Sequence, residues 1–155
     1  MAGRRFRTRV VTRFSAALAA ALVGVGLAVS PAAAATTTAD QSFEFTPFGT
    51  NTSTVTCTIH IRADFPFNGP NGGRGITSVS GSDPACTNGV TTIVGAEYRD
   101  TNDDFVTIPY TFSHGTSHTQ TYNNVKRDFS TFHQVYFPAC GCASQVYVLT
   151  TPNPK

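Results

Sequence analysis

Between residues 52 and 63 the side chains alternate. Val55, Cys57, Ile59 and Ile61 fall on one side, and Thr54, Thr56, Thr58, His60 and Arg62 on the other. Successive side chains of an extended chain point to opposite faces, so a period of two predicts a half-buried strand. It places Cys57 in a core layer and His60 on a solvated face. Shorter alternations recur at 42–46, 76–80, 90–99, 105–112, 119–125, 129–137 and 145–150, with Gly, Pro, Asn and Asp between them. No segment has an apolar period of 3.6 with caps, so almost no helix is expected. About eight strands at this spacing predict an all-β chain folded as an antiparallel β-sandwich, immunoglobulin-like or jelly-roll. The tryptophan of antibody domains is missing, so the expectation stops at the architecture.

Faces follow from the same period. Val90, Val94, Ala96 and Tyr98 are expected together, with Ile93 and Glu97 opposite. Val106, Ile108, Tyr110 and Phe112 are expected on one face, with Pro109 marking a sheet edge or a bulge. Phe129, Val135 and Phe137 share a face with His133, read as a core histidine with satisfied ring nitrogens. Phe132 and Tyr136 lie on the reverse. Val146 and Val148 are expected inward, and residues 36–41 form a loose start.

The four cysteines are Cys57, Cys86, Cys140 and Cys142. Cysteines one residue apart on a strand send their side chains the same way, whereas a disulfide needs converging Cβ atoms. Two long-range bridges are therefore expected: 57–140 with 86–142, or 57–142 with 86–140. They would tie the end of the chain to its first half, and the loop from Cys57 would contribute on the order of 4 kcal/mol. The alternative is a local 140–142 ring, which Gly141 would allow by turning the chain. The spacing of a four-thiolate zinc site is absent.

Residues 1–35 have the order of a signal peptide: a charged start, an apolar run from Phe14 to Val29, Ser30-Pro31, and small residues at Ala33-Ala34-Ala35. Residues 36–155 are then a single secreted domain. The leader changes the electrostatics. Arg4, Arg5, Arg7, Arg9 and Arg13 are five of eleven basic residues, so export leaves six against nine acids, a net charge of −3. No nucleic acid partner is expected of a mildly acidic chain without a basic stripe, and no membrane after the leader is removed.

Candidate chemistry is sparse. The loop 64–75 carries Phe65 and Phe67 around Pro66, either a ligand anchor or a cover for one end of the core. Tyr98 and Tyr110, with Tyr122 and Tyr136, are the rings available for stacking on a ligand. Asp100, Asn102 and Asp104 stand in the order of the first calcium ligands of a binding loop. Phe105 and Thr111 replace the glycine and glutamate such a loop needs, and hairpin turns favour the same residues. No cofactor is expected, with calcium at this loop, or copper or zinc at the turn of His114 and His118, as the alternatives. His114 and His118 sit four apart in a turn, a spacing that aligns ligands on a helix rather than a hairpin.

Three functions compete. The first is a non-catalytic secreted binding or structural module for a cell-surface or cell-wall polymer or a protein, through its loops. The second is a small hydrolase, such as a metal-independent nuclease, built from Glu97, Arg99 and one of His60, His114 or His133. No G-x-S-x-G motif supports a serine hydrolase. The third is a protease inhibitor presenting Ser82–Thr87. The first is preferred, with no catalytic residue assigned.

Overall fold

The computed structural model describes residues 34–50 and 53–153. The leader expected over residues 1–35 lies outside them but for its last two residues. Two antiparallel sheets share one core. The first contains β1 (Ala35–Phe45), β2 (Val55–Phe65), β3 (Gly73–Ser80) and β6 (Ser117–Tyr122), in the order β1-β2-β3-β6. The second contains β4 (Thr91–Asp100), β5 (Phe105–His114), β7 (Val125–Phe137), β8 (Cys142–Ala143) and β9 (Tyr147–Thr150). Its order is β5-β4-β7, with β8 and β9 both paired to β7. The chain crosses between sheets after β3, β5 and β6. No helix among the described residues is long and apolar enough to cross a membrane.

The inward positions of both sheets make one cluster, including Ile59, Ile61 and Val79 from the first and Val94, Val135 and Leu149 from the second. Aromatic rings close both ends. Phe65 and Tyr122 pack on Phe129 at centroid distances of 5.8 and 5.5 Å, and Phe43 and Phe45 pack on Phe137 at 5.1 and 5.0 Å. Burying each such ring stabilises the fold by about 1.5–3 kcal/mol.

His133 lies in this core, fully buried. Its Nδ1 is 2.8 Å from Thr77 Oγ1 and its Nε2 is 2.7 Å from Thr131 Oγ1, and Thr77 Oγ1 donates to Ile93 O at 2.9 Å. One arrangement satisfies every group. Thr131 donates to Nε2, Nδ1–H donates to Thr77, and Thr77 donates to the Ile93 carbonyl. The imidazole is neutral, and burial holds it down at about 4. Asp64 is the buried carboxylate among the described residues. Burial would raise its carboxyl, but hydrogen bonds from Thr36, Arg62 and Arg74 hold it below the ordinary carboxylate value.

Several expectations are corrected. The bridges are Cys57–Cys86 and Cys140–Cys142, not the long-range pairs. Gly141 takes φ 60°, and this left-handed turn brings the flanking Cα atoms to 5.2 Å. The end of the chain is instead held by the pairing of β8 and β9 with β7. Cys57 does not bridge the sheets; it joins β2 to the 3-10 turn Pro84–Cys86 in the crossing from β3 to β4.

Residues 36–41 are strand, paired residue for residue with β2. Cross-strand hydrogen bonds such as Thr36 to Asp64 supply what their composition lacks. Gly73 and Gly75 belong to β3 rather than to a loop. A β-carbon on Gly73 would meet the Phe129 ring at 2.7 Å, and one on Gly75 would meet Val94 at 2.8 Å, so these glycines let the sheets approach. In β9 the inward residues are Tyr147 and Leu149, while Val146 and Val148 are exposed. Tyr147 and Leu149 stand opposite His133 and Thr131, which point into the core.

Candidate binding face and its neighbours

The side chains of β4 alternate on both sides of Gly95, which is itself buried: Thr92, Val94, Ala96 and Tyr98 are buried, while Thr91, Ile93, Glu97 and Arg99 are half-exposed. Its neighbour β5 does not. Val94 pairs with Thr111 but Ala96 pairs with Ile108, so β5 carries one extra residue at Pro109-Tyr110. Pro109 accordingly marks both a bulge and an edge strand. The extra residue reverses the parity of the strand. Val106 and Ile108 pack inward, but Tyr110 and Phe112 turn outward, against the expectation of one shared face.

The consequence is an aromatic surface on the outside of the second sheet. Phe112 is 64% exposed, Tyr110 52%, Val148 54% and Tyr136 40%. Phe112 pairs with Ile93, and Phe132 pairs with both Gly95 and Val148. Tyr110 meets Phe132 edge-on at 6.4 Å, and Phe112 meets His114 at 5.6 Å. His114 in turn is 3.0 Å from Thr91 Oγ1. Carboxylates and cations flank this face at Glu97 and Arg99 but do not interrupt it.

At one end of the sandwich a cleft of about 450 Å³ lies between residues 67–73 and 121–124. Its rim carries Asn68, Asn71, Asn123 and Asn124. Backbone groups hold it together: Phe67 N–H donates to Gly72 O at 2.7 Å, and Val125 N–H to Asn71 O at 2.9 Å. Asn68 and Asn124 have φ 54° and 61°, so asparagine there is explained by the left-handed backbone. The Arg74 guanidinium lies 3.8 Å over the Phe67 ring and is neutralised by Asp64. Tyr122 also lines the cleft; it is buried, and its hydroxyl has no hydrogen-bond partner among the described residues.

The residues singled out from sequence are dispersed. Phe65 is fully buried against Phe129, so it covers the core end and meets no ligand, whereas Phe67 lines the cleft. Tyr98 is buried, its hydroxyl donating to Asn123 O, and is no loop platform. Tyr110 is the one of these four that presents a largely open ring, from a strand rather than a loop. Asp100 Oδ1 accepts the amides of Asn102 and Asp104, both at 2.9 Å, which is the hairpin-turn use of these residues. No three His, Cys, Asp or Glu among the described residues are grouped to hold a metal ion. His118 points between the sheets to Thr111 at 2.8 Å while His114 points outward, so the two do not converge. Glu97 and Arg99 sit on the outside of the second sheet, His60 on the outside of the first, and His133 in the core. His114 shares the outer face with Glu97 and Arg99 but pairs with Thr91, six positions along β4 from Glu97, so none of the three histidines is in register with the Glu97–Arg99 pair.

Phe112, Phe132 and Val148 were not among the expected site residues. Two breakers carried the signal: Pro109 inside a strand pattern, and Gly95 inside the strand beside it. No family model, curated protein or solved structure matches the chain.

Proposed function

We propose that this is a secreted module that binds a neutral extracellular polysaccharide on the outer face of the second sheet. The observation that carries the reading is the exposure of Phe112, Tyr110, Tyr136 and Val148 together on one open sheet face. Exposed apolar groups gathered on one surface mark a recognition site, whereas scattered ones do not. The exported chain is net negative, which disfavours a polyanion. The face has rings but few charges, which suits the C–H faces of uncharged sugar rings. Two disulfides are compatible with folding in an oxidising compartment.

The test is depletion from solution by insoluble cellulose, chitin and mannan, with gel filtration in parallel. Retention by at least one polysaccharide, lost in Phe112→Ala with Tyr110→Ala, supports the reading. Concentration-dependent dimerisation that the same pair abolishes, with no retention, would make the face a self-association surface instead.

A further inference from the structure

On the opposite outer face, that of the first sheet, three side chains from three adjacent strands form a connected line. Asp40 on β1 is in register with His60 on β2, and Asp40 Oδ1 lies 2.7 Å from His60 Nδ1. His60 Nε2 lies 2.8 Å from Oγ of Ser80, the last residue of β3. An ionised carboxylate can only accept, so Nδ1 carries the proton and Nε2 is the acceptor of the serine hydroxyl. Polar networks across sheet faces are common. Here, however, carboxylate, ring nitrogens and hydroxyl follow the order in which a serine nucleophile is activated, with both contacts at hydrogen-bonding distance.

We infer that Asp40, His60 and Ser80 form a nucleophilic site that cleaves small, unhindered acyl esters. Ser80 and Asp40 are exposed and His60 is half-exposed, so a substrate can reach the serine. The site lies on an open face, which admits esters with little selectivity for the acyl group. Pairing of β3 with β6 ends at Ser78, Val79 N–H donates to Thr116 O at 2.9 Å, and Ser80 beyond it is exposed.

Ser80 Oγ attacks the acyl carbon as its proton passes to His60 Nε2, and the carbonyl π pair moves to oxygen. The carbonyl then re-forms, the bond to the leaving oxygen breaks, and that oxygen takes the proton from Nε2 and departs as an alcohol. Water repeats the sequence on the acyl-serine, releasing a carboxylic acid and restoring the hydroxyl. Asp40 is the positioning residue that keeps the proton on Nδ1. Gly81 follows the nucleophile in the chain, and its amide is the donor this inference assigns to the oxyanion. A side chain at Gly81 would overlap the Cys86 sulfur, so the Cys57–Cys86 bridge packs against the segment that carries this amide.

The site is tested on the exported chain with 4-nitrophenyl acetate and with diisopropyl fluorophosphate, mapping the modified residue by mass spectrometry. The expected result is an acetyl or phosphoryl group on Ser80 and turnover that falls about 100-fold in Ser80→Ala and His60→Ala. Asp40→Asn lowers turnover about tenfold or more, and Asp40→Glu restores part of it. Modification of His60 or a lysine in place of Ser80, or a rate retained in Ser80→Ala, overturns the inference. Labelling of the wild-type chain identifies the nucleophile even if a variant misfolds. The outcome is independent of polysaccharide binding, because the two faces are opposite.

Discussion

The ring of Tyr110 lies over Gly95, across the bulge of the edge strand. A β-carbon on Gly95 would come within 3.1 Å of Tyr110 Cδ1 and 3.4 Å of Cε1. The glycine thus gives the ring a seat on the sheet surface, and the bulge turns the ring outward in the first place. Gly95→Val fills that seat and lifts the ring. The expected outcome is about tenfold weaker retention on polysaccharide with a loss of stability of only about 1 kcal/mol, read by depletion and by urea unfolding. Retention equal to wild type would detach Tyr110 from binding.

Acid should weaken the fold through His133. In the unfolded chain the imidazole takes its proton near 6.5; in the folded core it stays neutral down to about 4. Its contribution is full above pH 6.5 and is lost as the pH falls toward 4, by about 3 kcal/mol in all. Burial lowers His118 as well, so it acts in the same direction. Urea unfolding at stepped pH should show this slope, and His133→Leu should flatten most of it. An equal slope in His133→Leu would assign the effect elsewhere.

Asp64 acts in a lower window. Its carboxyl is held below 3.8, so its contribution is present above that value and is lost as the pH falls through the lower folded value. Asp64→Asn leaves Arg62 and Arg74 without their common partner. Both guanidiniums keep some contact with water, which places the expected loss at about 2–3 kcal/mol, near the bottom of the range for broken buried pairs. Thermal unfolding at neutral pH checks it, and an unchanged midpoint would contradict it.

The two disulfides should differ in worth. Cys57–Cys86 spans 29 positions and Cys140–Cys142 spans two. By chain entropy the first contributes about 3–4 kcal/mol and the second about 1.5 kcal/mol. Replacing each pair with alanines and comparing urea midpoints checks the ranking. Non-reduced peptide mapping checks the connectivity, for which a 57–140 or 57–142 fragment would be fatal.

Much of the sandwich is legible in the chain, because alternation along 55–61 and 129–137 reports burial directly. Other features resist such reading. The polar strand 36–41 is held by partners on β2 that lie up to 28 residues away, as Thr36 and Asp64 do. Gly73 and Gly75 look like loop residues, yet what selects glycine there is the closeness of the opposing sheet. The face of Tyr110 and Phe112 depends on one inserted residue, and a period of two has no memory across a bulge. The cysteine pairing escapes a strand-based reading for a related reason, since the turn at Gly141 is a local backbone property. Ser80, Asn71 and Asn123 carry no local signal, because their neighbours come from other strands and turns.

Tyrosine emission gives the most direct test of the binding face, because the chain contains no tryptophan. Tyr98, Tyr122 and Tyr147 are buried, whereas Tyr110 and Tyr136 are open to a quencher. Acrylamide quenching should fall when a soluble form of the retained polysaccharide is added, and Tyr110→Phe with Tyr136→Phe should remove that change while the polymer still binds. Quenching that does not respond to bound polymer, or that responds equally in the double variant, would mean the sugar lies elsewhere.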